Sequence, residues 1–452
     1  MAIITHLRAQ GHEAYLAGGC VRDELLGLTP GDYDVATDAP PDRIASLFFR
    51  TRLVGAQFGV VQVRRQGIWI EVATFRSDGP YTDRRRPDSV AFADALHDAQ
   101  RRDFTINALF LDPLAAPSQH TRFQGRAVAG RVIDHVGGLG DLAGRLVRAV
   151  GDPHRRLAED HLRALRAVRF SARLGFAIEP ETAGAITRHA GELQGVSPER
   201  IGHEIRRMLT HSTRAQAAGL LESLGLDGPA LGQRPRGAGQ SLARLEGLGR
   251  QAEWPLPTAA ADQPTDQPTD PAPGPVPFAL ALAAWMLDRG YGVRQEQVQE
   301  LVGGLRRALC LSNEERASLA AILGRRLDVL ERFERLGKAG QKRLAASLGF
   351  EHALRLVAVE DPAVARRVAD RVAQLAAEPG GLAPPRWVTG DDLVALGWRP
   401  GPRFAAVLEA LYDRQLEGAV ADRRALLEEL ERMEQTGGPG VQYRERPASS
   451  DG

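Results

Sequence analysis

One stretch, Leu16 to Val35 (LAGGCVRDELLGLTPGDYDV), constrains this chain more than any other. Tyr15, Leu16 and Ala17 form a short apolar run that stops at Gly18 and Gly19. There the missing Cβ lets the backbone turn tightly and approach a ligand closely. Val21 to Leu26 reads as a short helix whose free N–H groups and positive dipole end face the same turn, with Arg22 adding a charge. Phosphate oxygens are the expected ligand. The spacing is neither that of a Walker loop nor that of a dinucleotide fingerprint. After the turn residues Gly27 to Gly31, Asp32 and Asp34 stand two apart, so in an extended strand both carboxylates point to one face. They repel each other unless a cation lies between them. Hard oxygen donors in this number suit Mg²⁺, which binds a few carboxylates together with substrate phosphates.

The 452 residues are too many for one core and imply about two to four domains. The formal net charge of +1 announces no nucleic acid, but a basic face offset by acids elsewhere gives the same sum. Cys20 and Cys310 form no C-x-x-C, which argues against a disulfide framework or a zinc site and fits a reducing cytosol. The longest apolar run, near Phe278 to Leu287, is too short for a bilayer, and the N-terminus lacks a basic-then-apolar layout. A soluble cytoplasmic protein with no membrane partner is the expectation.

Along the chain, Ile3, Ile4 and Leu7 predict an opening helix ended by Gly11. Leu53–Arg64 and Ile68–Phe75 predict strands with a turn near Gly67. Glu71 in the second strand is either a third acid of the site or an ordinary exposed strand glutamate. Ser77–Ser89 (SDGPYTDRRRPDS) has no period and reads as a mobile loop. Val150–Phe176 predicts one helix, opened by Asp152-Pro153 and closed near Gly175. On it Asp160, Arg163, Arg166 and Arg169 recur every three residues, each neighbouring the next. Such a run is either a salt-bridged solvated face or a reader of bases. Cytosine and adenine each present an exocyclic amine donor beside a ring-nitrogen acceptor, and uracil and guanine the reverse. A carboxylate beside a guanidinium therefore accepts C and A and rejects U and G. Ser197–Ile201 opens another helix, and Gln251–Pro277, with ADQPTDQPTDPAPGPVP, reads as a disordered insertion. From Phe278 onward the pattern is helical. After His211 only His352 remains, so no H…HD metal set can be built there.

GGCVRD with DYD, and Arg101–Leu109 (RRDFTINAL) downstream of Asp98, resemble the first two motifs of the class II tRNA nucleotidyltransferase and bacterial poly(A) polymerase family. Ser77–Ser89 resembles its flexible loop, with Arg86 where a histidine is usual. The helix from Val150 resembles its neck. Val388–Gly418, with a G-x-x-P-G-P turn at Gly397–Pro402, resembles the tail of CCA-adding enzymes; that turn, with Arg399 and Arg403, either holds an RNA phosphate or is a packing corner.

The resemblance implies an α+β head of polymerase β-like nucleotidyltransferase type at 1–137, followed by an all-α neck at 138–212, body at 213–385 with the insertion 251–277, and tRNA-binding tail at 386–437. A frayed end, 438–452, completes the chain. It also implies Mg²⁺-dependent addition of C, C and A from CTP and ATP to the tRNA 3′ end, with release of pyrophosphate. Asp32 and Asp34 would be the catalytic metal ligands. Gly19, Arg22, Arg102, Asp160, Arg163, Arg166 and Arg169 would bind the nucleotide, Asp103 would accept a ribose hydroxyl, and Asp160 with Arg163 would choose the base. Poly(A) addition is the rival, disfavoured because Leu53–Val63 lacks that branch's arginine pair and the C-terminus carries no basic extension. CC-only and A-only addition stay open. A dead RNA-binding protein and a small-molecule nucleotidyltransferase are disfavoured.

Overall fold

The computed structural model describes residues 1–53, 58–81, 87–233, 241–250, 276–291, 294–396, 398 and 401–435. The chain divides into two compact units, Met1–Pro235 with Gly304–Cys310, and Arg236–Gly303 with Leu311–Gly452. The first unit thus runs through residue 212 and takes in a short piece of the following helical region.

The first unit begins with α1 (Ala2–Ala9), β1 (Ala14–Ala17), α2 (Gly19–Leu26), β2 (Asp34–Thr37) and α3 (Pro41–Leu47). β1 stops because Gly18 takes φ +76°, ψ −128°, outside the range of ordinary residues, and α2 ends on Gly27 in the left-handed conformation. Next come β3 (Thr51–Arg52), β4 (Val60–Arg65) and β5 (Ile68–Thr74). The pair Gln66 and Gly67, both at positive φ, closes a two-residue hairpin with Arg65 opposite Ile68. The strand expected from Leu53 begins only at Val60, and residues 54–57 lie outside the described part.

β6 (Arg76–Asp78) and β7 (Val90–Phe92) pair antiparallel. The two ends of the loop expected at 77–89 are therefore a hairpin stem, while residues 82–86, with Arg86, lie outside the described residues. After α4 (Ala95–Gln100) come β8 (Phe110–Asp112), the small hairpin β9 (Arg122–Phe123) and β10 (Arg126–Ala127), and β11 (Arg131–Ile133). Seven strands make one sheet in the order β11-β8-β1-β2-β5-β4-β3. β2 sits at its centre, antiparallel to β1 and parallel to β5, with Asp34 flanked by Ala17 and by Glu71. Side chains alternate along β2: Val35 packs with Ile3, Leu7 and Val72 on one face, and Ala36 with Tyr15, Phe75 and Phe110 on the other. By the same alternation Asp34 belongs to the Ala36 face.

The rest of this unit is mainly helical: α5 (Gly138–Ala143), α6 (Pro153–Glu159), α7 (Leu162–Leu174), α8 (Pro180–His189) and α9 (Pro198–Leu209), then further helices. The single helix expected over 150–176 is two helices. Asp152 caps α6 by accepting from His154 N at 2.8 Å, but at Asp160 the backbone is extended (φ −158°, ψ 104°). One cause is local: Asp160 Oδ1 accepts from the Leu162 amide at 3.1 Å, a side-chain bond that competes with the helical pattern and starts α7 afresh.

In the second unit the regular elements among the described residues are all helices. Phe278–Asp288 is buried on every side, as the unbroken apolar run Phe278–Leu287 requires, and Asp288 at its end pairs with Arg244. Phe333, Phe350, Leu354, Val357 and Val368 form one core, and Val388, Leu393, Val407, Leu411, Leu426 and Leu430 another near the C-terminus. Residues 251–275, which carry most of the expected insertion, lie outside the described residues, as do Gly397, Arg399, Pro400, the Arg403 side chain and the end from 436. No helix among the described residues is long and apolar enough to cross a membrane.

Candidate active site

A cavity of about 750 Å³ opens in the first unit, and every site residue expected from the sequence lines it: Gly19, Arg22, Asp32, Asp34, Arg102, Asp160, Arg163, Arg166 and Arg169. Nine arginines face five aspartates in its wall. A formal excess of four positive charges around one hollow suits a polyanion.

At the head end, Asp32 lies just before β2 and Asp34 is its first residue. Burial, with the negative charges of Asp32 and Glu71, pushes the Asp34 carboxyl up to about 6, and Arg102 only partly offsets this. A carboxylate that resists ionisation because like charges crowd it fits a divalent cation. Among the described residues no three or more His, Cys, Asp or Glu side chains form a ready metal cage. Asp32 and Asp34 are the residues that could hold such an ion.

Arg102 is aimed by Asp98, whose Oδ2 takes its Nε and Nη2 at 3.1 and 2.9 Å, and by the Asn107 carbonyl at 3.1 Å; its guanidinium lies 5.0 Å from the Phe110 ring. Burial would raise the Asp98 carboxyl, but Arg102 and Arg101 outweigh it and hold it below the usual range. A Cβ on Gly18 would stand 3.0 Å from Arg102 Nη1, so a side chain there would press on Arg102 as well as strain the backbone at φ +76°. Arg22 is buried, tied to Asp23 at 2.7 Å and to Asn107 Oδ1 at 2.6 Å, and lies 5.1 Å from the centre of Phe170.

At the neck end the charges come in pairs. Asp160 Oδ2 meets Arg200 of α9 at 2.6 Å. Arg163 Nη1 meets Glu159 at 2.6 Å and the Arg156 carbonyl at 2.8 Å. Arg166 grips Asp103 at 2.5 Å, and Arg169 grips buried Glu204 at 2.6 Å. Arg156 in turn donates to Glu159, to the Val150 carbonyl and to the carbonyls of Gln100 and Arg101, which fastens α6 to the end of α4.

A family profile for the poly A polymerase head domain matches residues 14–148, and one for the probable RNA and SrmB-binding site of polymerase A matches residues 175–227. A CCA-adding enzyme of Limosilactobacillus fermentum is 34% identical over 430 residues, covering 93% of this chain and 92% of its own. The chain belongs to the CCA-adding enzyme family. A second relative, from a Geobacillus species, is 41% identical over 227 residues, 50% of this chain and 52% of its own. The crystal structure of the Bacillus stearothermophilus CCA-adding enzyme in complex with CTP superposes with a TM-score of 0.69 at 28% identity, covering 96% of this chain and 98% of that one. The head is therefore that of a nucleotidyltransferase, in a family that works with a divalent metal.

Measured against this CCA-adding fold, two expectations need correction. Asp160 does not share a helix with Arg163, Arg166 and Arg169: it sits at the break, and its guanidinium partner is Arg200. Asp103 has no acceptor capacity left for a ribose hydroxyl. Its Oδ1 takes the Phe104 amide and Asn107 Nδ2, and its Oδ2 takes Arg166 Nε and Nη2, which uses all four lone-pair positions. Burial would raise its carboxyl, yet Arg166, Asn107 and Arg163 hold it at about 2. It is a tie between head and neck. Asp160, by contrast, accepts one bond on each oxygen and keeps a lone pair on each.

Sequence reasoning missed Arg200, Glu159, Asn107 and Phe170. Phe170 gathers the guanidiniums of Arg22, Arg166 and Arg169 within 5.4 Å of its ring centre. The available signals were the Ser197-Pro198-Glu199-Arg200 helix start and the acid one place before Asp160.

Proposed function

We propose that this chain adds C, C and A to the 3′ end of tRNA without a nucleic-acid template, using CTP and ATP and releasing pyrophosphate. The observation that carries the reading is a single cavity with unneutralised carboxylates at one end and a carboxylate–guanidinium set at the other. Asp32 and Asp34 would hold Mg²⁺, which when bound supplies the Lewis acidity for attack of the RNA 3′-hydroxyl on the α-phosphate. The Gly18-Gly19 turn admits the triphosphate close to the backbone, and Arg22 and Arg102, held rigid by Asp23 and Asp98, grip its oxygens. Asp160, with its free lone pairs, accepts the exocyclic amine of C or A. Arg163, anchored through one nitrogen by Glu159 and Arg156, offers its remaining donors to the ring nitrogen. Arg166 and Arg169 fix the wall behind through Asp103 and Glu204.

In this reading the head spans 1–137, the neck 138–212, the body 213–385 and a tRNA-contacting tail 386–437, and the reaction takes place in the cytoplasm. The test supplies labelled CTP or ATP separately to tRNA transcripts lacking the last one, two or three of C, C and A. Two C and then one A, with growth stopping there, is the expected result. Long A tails on arbitrary RNA would move the assignment to poly(A) addition, and incorporation of C alone or A alone would move it to a partial activity.

A further inference from the structure

Two pairs link the start and body of α7 to α9, and they ascend both elements together: Asp160 with Arg200, then Arg169 with Glu204. The next position along breaks the pattern. Arg173 near the end of α7 and Arg207 near the end of α9 are both exposed, and both line the main cavity. They line a small adjoining pocket as well, together with Arg169, Met208 and His211. Among the described residues neither Arg173 nor Arg207 has an ion-pair partner. Glu204 is the carboxylate bonded within this group, and it is already engaged by Arg169. Arg207 presses electrostatically on Arg169, and Arg173 on His211. A helix pair that otherwise matches cation to anion here sets cation beside cation, at a cost to the empty protein that a bound anion would relieve.

We propose that Arg173 and Arg207, with Arg169 behind them, form a second phosphate subsite of the cavity. The proposal rests on the reading of the chain as a nucleotide-adding enzyme acting on RNA. Arg173 lies ten residues beyond Arg163, about 15 Å along the helix axis, so it stands well away from the base position. The nucleotide's own phosphates already have the glycine turn, Arg22 and Arg102. Planar guanidinium forks at the cavity edge match a phosphate oxygen pair. Two sources carry that chemistry: a phosphodiester of the incoming RNA strand, and the pyrophosphate leaving the site.

The test uses the full chain and the variants Arg173→Gln, Arg207→Gln, the double variant, and Arg173→Glu, which pairs with Arg207 and completes the ladder. Anisotropy with labelled tRNA across a salt series reads the RNA source. Calorimetric titration with inorganic pyrophosphate, which needs no turnover, reads the other. An RNA phosphate predicts a roughly tenfold weaker tRNA affinity in the double variant and a salt dependence shallower by ~0.7 for each phosphate charge that an arginine no longer neutralises. A pyrophosphate site predicts unchanged tRNA affinity with roughly tenfold weaker pyrophosphate binding. Arg173→Glu should lose the same ligand while its thermal midpoint stays level or rises, which separates lost binding from lost folding. Unchanged affinity for both ligands in the folded double variant would overturn the subsite. Absence of C and A addition by the parent protein would instead overturn the functional reading, leaving the pyrophosphate titration to stand alone.

Discussion

The two ends of the cavity manage charge in opposite ways. At the head, Asp34 is crowded by Asp32 and Glu71, and its carboxyl is driven up to about 6. At the neck end, Asp103, a head residue tied to the neck, is also shielded from water, yet Arg166 and Asn107 hold it at about 2. Burial penalises both carboxylates; what differs is whether a guanidinium stands within bonding distance. The head end is left short of positive charge and is completed by what it binds. The set from Asp160 to Arg169 at the neck end is already paired and so can present fixed donors and acceptors to a base. Chemistry and selection should therefore respond differently to the loss of a single charge.

The largest effect is expected where a closed pair is opened. Arg169 and Glu204 are both almost fully buried. Glu204→Ala should cost about 3–5 kcal/mol of stability in denaturant unfolding, because it strands a buried guanidinium. A loss below about 1 kcal/mol would mean that the neck end is not self-sufficient.

The head end predicts the reverse sign. Asp34→Asn should lower turnover by at least ~10²-fold, about 2.7 kcal/mol, while nucleotide binding persists. The same change should stabilise the metal-free protein. Asp34's folded value of about 6 lies above its ordinary 3.8, so the native state binds this proton more tightly, and stability falls as pH rises between those values. At pH 7 the variant should gain about 1–3 kcal/mol over the parent, and the gain should vanish below about pH 4. Protons should compete with Mg²⁺ by the same route, with metal affinity falling below about pH 6. An Asp34→Asn protein no more stable than its parent at pH 7 would remove the contrast between the ends.

How much of this was legible in the sequence follows from how far apart the partners lie. The glycine turn, α2 and the two aspartates sit within Leu16–Val35, where glycine geometry and period-two alternation suffice. The placement of Glu71 beside Asp34 needed the parallel pairing of β2 with β5, which no local pattern specifies. The break at Asp160 was illegible because EDHLRAL contains no glycine or proline; its cause is a side chain capping the following turn. Arg200 and Glu204 stand 40 and 35 residues from their partners. A regular spacing of arginines on α7 therefore read as a self-contained ladder, when each rung is supplied by another element. Asp103, beside Arg102 in the sequence, read as a ligand group, and only its four filled lone-pair positions show it to be a tie.

If the neck end selects and the head end reacts, single-turnover incorporation of CTP and of UTP by Asp160→Ala, on tRNA lacking its terminal CCA, separates the two roles. The substitution removes the acceptor for the exocyclic amine, so C loses a charge-assisted bond worth roughly 1.5–3 kcal/mol, while U is freed from a carboxylate facing its carbonyl. The ratio of CTP to UTP rates should fall roughly 10- to 100-fold, with the UTP rate level or higher. Equal slowing of both nucleotides would contradict the account, making Asp160 a cap for α7 and returning discrimination to the head.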